Sequence, residues 1–332
     1  MKAYRLTPGG GVDGLQLVDL PDPAPGLGEV LVRVRATSLN YRDLLIARRT
    51  AHAVIPLSDG AGDVVATGAE VERVAVGDRV AGCFFLNWID GEVRPEYIAA
   101  ALGGGTVDGM LAELVALPAD AVVRLPDAMT YDEAATLPCA ALTAWNAMFV
   151  QARLHPGQSM LLLGTGGVSI TALQLARLAG VRSIITSSSD EKLERARALG
   201  ADATINYRTV PDWDRAVLDA TDGRGVDLVL EVGGAATFPK SMAATRVGGD
   251  VVLIGALAHE GADPGTAPMV GRNIRATRIY VGSRVMFEDM LRALALREVH
   301  PVIDRTFAFE AAADAYRLLE SQTHFGKIVI RA

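Results

Sequence analysis

A wholly apolar run, Met160-Leu161-Leu162-Leu163, empties into Gly164-Thr165-Gly166-Gly167-Val168-Ser169 and then into a helix-forming stretch, Ile170 to Leu178. The glycine run is nearly G-x-G-x-x-G, with Ser169 in the third glycine position. Such a run is weak evidence alone. After a strand and before a helix it predicts a dinucleotide site. Gly164 permits the tight turn, Gly166 lets backbone approach a pyrophosphate, and Ser169 is small enough where helix meets strand. Thr165, Gly167 and Val168 complete the loop, whose helix N-terminus offers free N–H groups and a positive dipole end to phosphates. The end of the next strand chooses the dinucleotide. A carboxylate there would hold a ribose 2′-OH and repel a 2′-phosphate. Here stand Thr186, Ser187, Ser188 and Ser189, with no acid before Asp190 and with Lys192 and Arg195 close behind. These predict a phosphate pocket and NADPH as cofactor, with Tyr207 at its border. Ser187 to Ser189 also suit the turn before a helix capped at Asp190, and both readings can hold together.

The elements that must position this loop are legible in outline. Glu29 to Thr37 alternates apolar and polar residues, as a strand with one wet face does. Thr67-Gly68 and Gly77-Asp78 read as turns, and Pro21 to Gly26 as a stiff loop. The first 125 residues therefore read as strands and turns. The character changes near Leu125-Pro126. Thr130 is a helix N-cap with Glu133 as its capping-box partner. From Ser159 onward strands alternate with helices: strands at 160–163, 183–186, 204–206, 226–230, 251–254 and 274–281, and helices at 170–178, 190–199 and 212–220. That alternation predicts a doubly wound parallel sheet. Helices at 287–297 and 309–321 and a short strand at 327–330 form the tail.

Composition excludes several classes. Of 332 residues, 50% are apolar and 21% charged, which is inconsistent with a disordered chain. A net charge of −7 argues against nucleic-acid partners. The basic residues are 4 Lys and 28 Arg, which we read as codon bias. Two cysteines, Cys83 and Cys139, make neither a disulfide framework nor a four-thiolate zinc knot, and the five histidines show no metal spacing. The absence of a leader-like or membrane-length apolar run predicts a cytoplasmic protein with no membrane partner.

These elements, in this order, resemble the medium-chain dehydrogenase/reductase superfamily over essentially the whole chain. The resemblance rests on Pro56 to Val65, Val76 to Val80, Asp108 to Glu113, Leu137 to Trp145, Gly164 to Ser169, Leu199 to Asp202 and Phe325-Gly326-Lys327. It implies a GroES-like β-rich catalytic domain (1–127 and 283–332) around a Rossmann NADP-binding domain (128–282). Zinc members of that family bind their metal through Cys, His and Cys. Here those positions look like Asn40, Ser58 and Cys139, and the four-cysteine structural lobe is missing, so no metal is expected. The segment Asn40-Tyr41-Arg42-Asp43 is similar to the zinc-free quinone and enone reductase branch.

By family position, Asn40 and Tyr41 become donors to the acceptor and Asp43 orients its neighbours. Thr143, Gly255, Gly282 and Ser283 lie where relatives hold the nicotinamide half. Lys327 is expected either to reach the cofactor or to be a surface charge. Phe84, Phe85 and Trp88 line a substrate pocket or form a loop core. The resemblance implies an NADPH-dependent reductase of a quinone, an enone or another activated carbonyl, working on a small molecule as a homodimer. An alcohol dehydrogenase or carbonyl reductase is the second reading, and a non-catalytic NADPH sensor the third. Enoyl-thioester reductases of the family carry a Tyr eleven residues after the Asn; here it is Ala51, which argues against that branch.

Overall fold

The computed structural model describes residues 1–104, 106–255 and 267–332. They form two compact units, residues 1–142 with 281–332, and residues 143–280. The first is a GroES-like, sheet-rich unit and the second a Rossmann-like parallel sheet with helices.

In the first unit the strand Glu29–Ser38 is the spine. It pairs antiparallel with Asp59–Thr67, while its first half also pairs with Leu114–Pro118 and its last residues with Lys327–Arg331. Ile303–Ala308, Arg79–Gly82 and Val122–Arg124 complete a seven-stranded sheet, and Lys2–Leu6 pairs with Leu15–Asp19 in a separate ribbon. The spine's alternation holds through Ala36 and then stops: Thr37 and Ser38 are buried as well. The two hydroxyls there are satisfied, Thr37 donating to the Asp59 carbonyl and Ser38 to the Ala135 carbonyl at 2.7 Å. Buried polar groups need such partners.

This unit is not all strand and turn, as its sequence suggests. Tyr41–Arg49 is a helix. Its first free N–H group is closed by Asp43, whose carboxylate accepts from the Asn40 backbone at 2.7 Å. Leu44 and Ala47, three apart, turn into the core. The segment is short, so periodicity alone did not reveal it. The unit also extends through Leu142, beyond residue 127, where the sequence reading places the change. The Thr130–Glu133 capping box is present, but the helix it opens is tied to the sheet by Tyr131, which donates to Asp63, and by Ser38.

The second unit is a six-stranded parallel sheet in the order Ala203–Asn206, Arg182–Ser187, Ser159–Leu163, Val226–Glu231, Thr245–Leu253, Arg275–Arg278. Every residue of Ser159–Leu163 is buried, as a central strand covered on both faces requires. Sequence order reverses direction between this strand and Val226–Glu231, and ligands of open α/β sheets bind at such switch points. The last strand is shorter than the 274–281 run suggests and is the sheet's edge. No helix among the described residues is long and apolar enough to cross a membrane.

Candidate functional site

The nucleotide half of the site lies at the switch point. Gly164 adopts φ +71°, a left-handed conformation that disfavours any side chain. A Cβ built on Gly164 or Gly166 would project into open space, which leaves the backbone free for a phosphate group. Gly166 is the N-cap of a 13-residue helix, Gly167–Ala179, whose first N–H groups are therefore uncommitted to intrahelical bonds. Ser169 is buried and its hydroxyl donates to the Leu163 carbonyl at 2.7 Å, so the serine in the third glycine position ties helix to strand. These residues fit a dinucleotide pyrophosphate.

At the end of the neighbouring strand, three serines divide their work. Ser187 Oγ accepts from Ser189 N–H at 3.3 Å, and Ser189 Oγ accepts from Lys192 N–H at 3.3 Å. Ser189, not Asp190, is thus the N-cap of the helix Asp190–Ala198. Ser188 Oγ has no partner among the described residues. Lys192 is half-buried on the first turn of that helix. Tyr207 is 42% exposed, and its backbone N–H donates to the Ser187 carbonyl at 3.0 Å, which brings the end of the third strand beside the serines. The Asp190 carboxylate is held by Asn206 Nδ2 at 2.7 Å.

The Glu231 side chain closes Val226–Glu231 at the same end of the sheet. It is fully buried and accepts from Gly233 N–H (2.7 Å), Gly234 N–H (2.9 Å), Thr237 Oγ1 (2.6 Å) and Ser241 Oγ. A carboxylate with four donors fixes the loop after its strand. A Cβ on Gly255 would meet the Val232 carbonyl at 2.7 Å, so this loop needs glycine there. An acid ending an apolar strand was the available sequence signal for Glu231. Thr143 is buried on the helical turn Leu142–Trp145.

The first unit holds a separate buried polar cluster. Lys327, 3% exposed, donates from Nζ to the Leu39 carbonyl (2.7 Å), Asn40 Oδ1 (2.7 Å) and Asp59 Oδ2 (3.4 Å). It is therefore not a surface charge. Asp59 is fully buried; Ser58 donates to its Oδ1 at 2.8 Å, and Ser38 Oγ stands 3.3 Å from its Oδ2. Nothing in the local sequence announced the Asp59–Lys327 pair, whose members are 268 residues apart. Asn40 Nδ2 is buried and has no hydrogen-bond partner. Leaving a buried donor unmade costs about 1–3 kcal/mol, so a ligand oxygen that accepts from it recovers that cost on binding. The ring of Tyr41, the first residue of the helix, packs against the core, and its hydroxyl has no partner among the described residues. Burial pushes the carboxyl of Asp43 up to about 6, against the opposing pull of Arg42 and of the Asn40 N–H. Asp43 acts on Asn40 through the cap.

Cys139 carries a thiol pushed up by burial, with the Asp59 carboxylate adding to the effect. Among the described residues no three His, Cys, Asp or Glu side chains are grouped as a metal ion would need. Phe84, Phe85 and Trp88 are buried against one another and Trp88 stacks on Tyr97, so this cluster is the core of a loop. Ser283 is buried and N-caps the helix Arg284–Leu296, while a Cβ on Gly282 would meet Leu142 at 2.8 Å.

Comparison with known proteins agrees with this geometry. Residues 26–127 match the alcohol dehydrogenase GroES-like domain, and residues 167–296 match the zinc-binding dehydrogenase domain. A zinc-type alcohol dehydrogenase-like protein of Schizosaccharomyces pombe is 44% identical over 92% of this chain and 91% of its own. The crystal structure of a NAD-dependent alcohol dehydrogenase is 34% identical with a TM-score of 0.91, covering 100% of both chains. A mycobacterial protein complexed with NADPH is 26% identical with a TM-score of 0.83, again covering 100% of both. With both domains matched in order and a close relative over nearly the full length, the chain belongs to the zinc-type alcohol dehydrogenase-like members of the medium-chain dehydrogenase/reductase superfamily, a family of oxidoreductases.

Proposed function

We propose that this chain is an NADPH-dependent, zinc-independent oxidoreductase that reduces a quinone, an α,β-unsaturated carbonyl or another activated carbonyl. The observation that carries the reading is the buried, unpartnered Nδ2 of Asn40. Reduction of a carbonyl or quinone builds negative charge on an oxygen, and a dry, pre-oriented N–H donor stabilises it. Tyr41 supplies a second donor. NADPH, when bound, supplies the hydride; Gly164, Gly166 and the helix start at Gly167 hold its pyrophosphate, and Ser188, Lys192 and Tyr207 its 2′-phosphate.

The residues do not fit a zinc ion, although the family description names one. Asn40 Oδ1 already accepts from an ammonium, the Ser58 hydroxyl is committed to Asp59, and Cys139 is the single thiol among the three positions. A catalytic zinc takes about three protein ligands, and a buried Lys327 cation beside the first position opposes a second one. The alcohol dehydrogenase relatives support the alternative, an alcohol dehydrogenase or carbonyl reductase acting on alcohols and aldehydes or ketones.

The test is cofactor consumption with 1,4-benzoquinone, but-3-en-2-one and benzaldehyde, each with NADPH and NADH, with and without EDTA. Fastest turnover of the quinone or enone with NADPH, unchanged by EDTA, is the expected result. Loss of activity on zinc removal overturns the metal-free reading. Turnover of benzaldehyde alone, reversed with benzyl alcohol and the oxidised cofactor, establishes the alternative, and NADPH binding without any turnover establishes a sensor.

A further inference from the structure

Asn40 has two ends, and only one can face the acceptor. An amide's oxygen and nitrogen look alike in shape, so which one points into the site must be argued from partners. Here the chemistry decides. An ammonium has three donors and no acceptor, so the amide atom 2.7 Å from Lys327 Nζ must be the oxygen. The nitrogen then points away from Lys327. The same ammonium spends its other contacts on the Leu39 carbonyl and on Asp59. Its three donors are matched by three acceptors inside the fold, which leaves none for a ligand. Asp59 is in turn fixed by Ser58. The Asn40 backbone is fixed from the other side, because its N–H donates to Asp43.

We propose that Lys327 is a positioning residue, whose buried ammonium, anchored on Asp59, locks the Asn40 amide in the one orientation that presents Nδ2 to the acceptor oxygen. The inference rests on Asn40 being the donor. It adds that the donor is set by a charge contributed from the far end of the chain. Without Lys327 the amide is free to turn its oxygen toward the acceptor, where it repels the charge it should stabilise.

A double-mutant cycle tests this, using the acceptor reduced fastest in the screen above and NADPH. Asn40→Ala, Lys327→Met and the pair are compared for kcat, KM and NADPH Kd. Lys327→Met should lower kcat/KM by about 10-fold in the wild-type background and by less than 2-fold in the Asn40→Ala background, with NADPH Kd unchanged within about 2-fold. Equal losses in both backgrounds mean that Lys327 does not act through Asn40, and overturn the inference. An Asn40→Ala variant with full turnover instead overturns the donor reading itself. Where Lys327→Met fails to fold because Asp59 is left buried and unpaired, Lys327→Met with Asp59→Asn removes both charges and takes the place of Lys327→Met in the cycle, with Asp59→Asn alone as its control. A readout apart from turnover is the Asn40 side-chain amide signal, identified by its absence in Asn40→Ala. It should shift in Lys327→Met; an unmoved signal overturns the inference.

Discussion

Replacing Asp43 by Asn should change how the protein's stability depends on pH. The carboxyl is 1% exposed. Oδ2 accepts the Asn40 N–H at 2.7 Å, Oδ1 has no hydrogen-bond partner, and the Arg42 guanidinium stands 4.0 Å away. Burial outweighs these attractions and raises the folded carboxyl from its ordinary 3.8 to about 6. The folded state therefore binds this proton more tightly than the unfolded chain. Stability from this group is complete below 3.8, declines as pH rises through the interval up to about 6, and is flat above it. The full loss is on the order of 3 kcal/mol. Asparagine keeps an oxygen to cap Asn40 and has no proton to lose, so its variant lacks this slope. The difference in unfolding free energy between wild type and Asp43→Asn, measured in urea at pH 4 and at pH 7.5, cancels every other titrating group. Trp88 fluorescence, with Trp145 and Trp213 replaced by Phe, reports the first unit. Wild type should lose about 2–3 kcal/mol relative to the variant between these pH values. A gap that stays constant, or that moves in favour of wild type as pH rises, means Arg42 outweighs burial and refutes the argument.

Other outcomes follow from the same geometry. Asn40→Ala and Tyr41→Phe should each lower kcat/KM by about 5- to 150-fold, or about 1–3 kcal/mol, with NADPH Kd within about a factor of two; full turnover in both makes these residues structural. Asn40→Asp keeps an oxygen for Lys327 but removes the donor, so it should lose turnover without lowering the urea midpoint. NADPH should bind about 100-fold more tightly than NADH, or about 2.7 kcal/mol, and Ser188→Asp should reverse that preference; equal binding by the wild type contradicts the phosphate pocket. The strand Arg275–Arg278 is the edge of its sheet, and pairing it across a two-fold axis predicts a homodimer, which light scattering reports as twice 35.0 kDa; a monomer at micromolar concentration refutes it.

What the chain determined by itself is what neighbours in sequence can decide. Met160 to Leu163 had to be a buried central strand because no residue in it tolerates water. Gly164 had to carry the turn because its left-handed φ excludes a side chain. The Thr130–Glu133 box closes over three residues, and the turn Ser187 to Ser189 over two, so both were open to local reasoning. Even there, Ser189 rather than Asp190 took the cap, since a hydroxyl one residue earlier reaches the same N–H group. The helix Tyr41–Arg49 was hidden because it spans only nine residues and its start is marked by one carboxylate, Asp43, reaching back to one N–H. Lys327 lay furthest from local reasoning. From the sequence it stands equally as a group reaching the cofactor or as a surface charge. Only the pairing of Lys327–Arg331 with the end of Glu29–Ser38, across some 290 residues of chain, buries it against Asp59 and Asn40. Local chemistry set which residues could donate or cradle. The tertiary fold decided which charge stands beside which amide, because that depends on register between strands whose partners are remote in the chain.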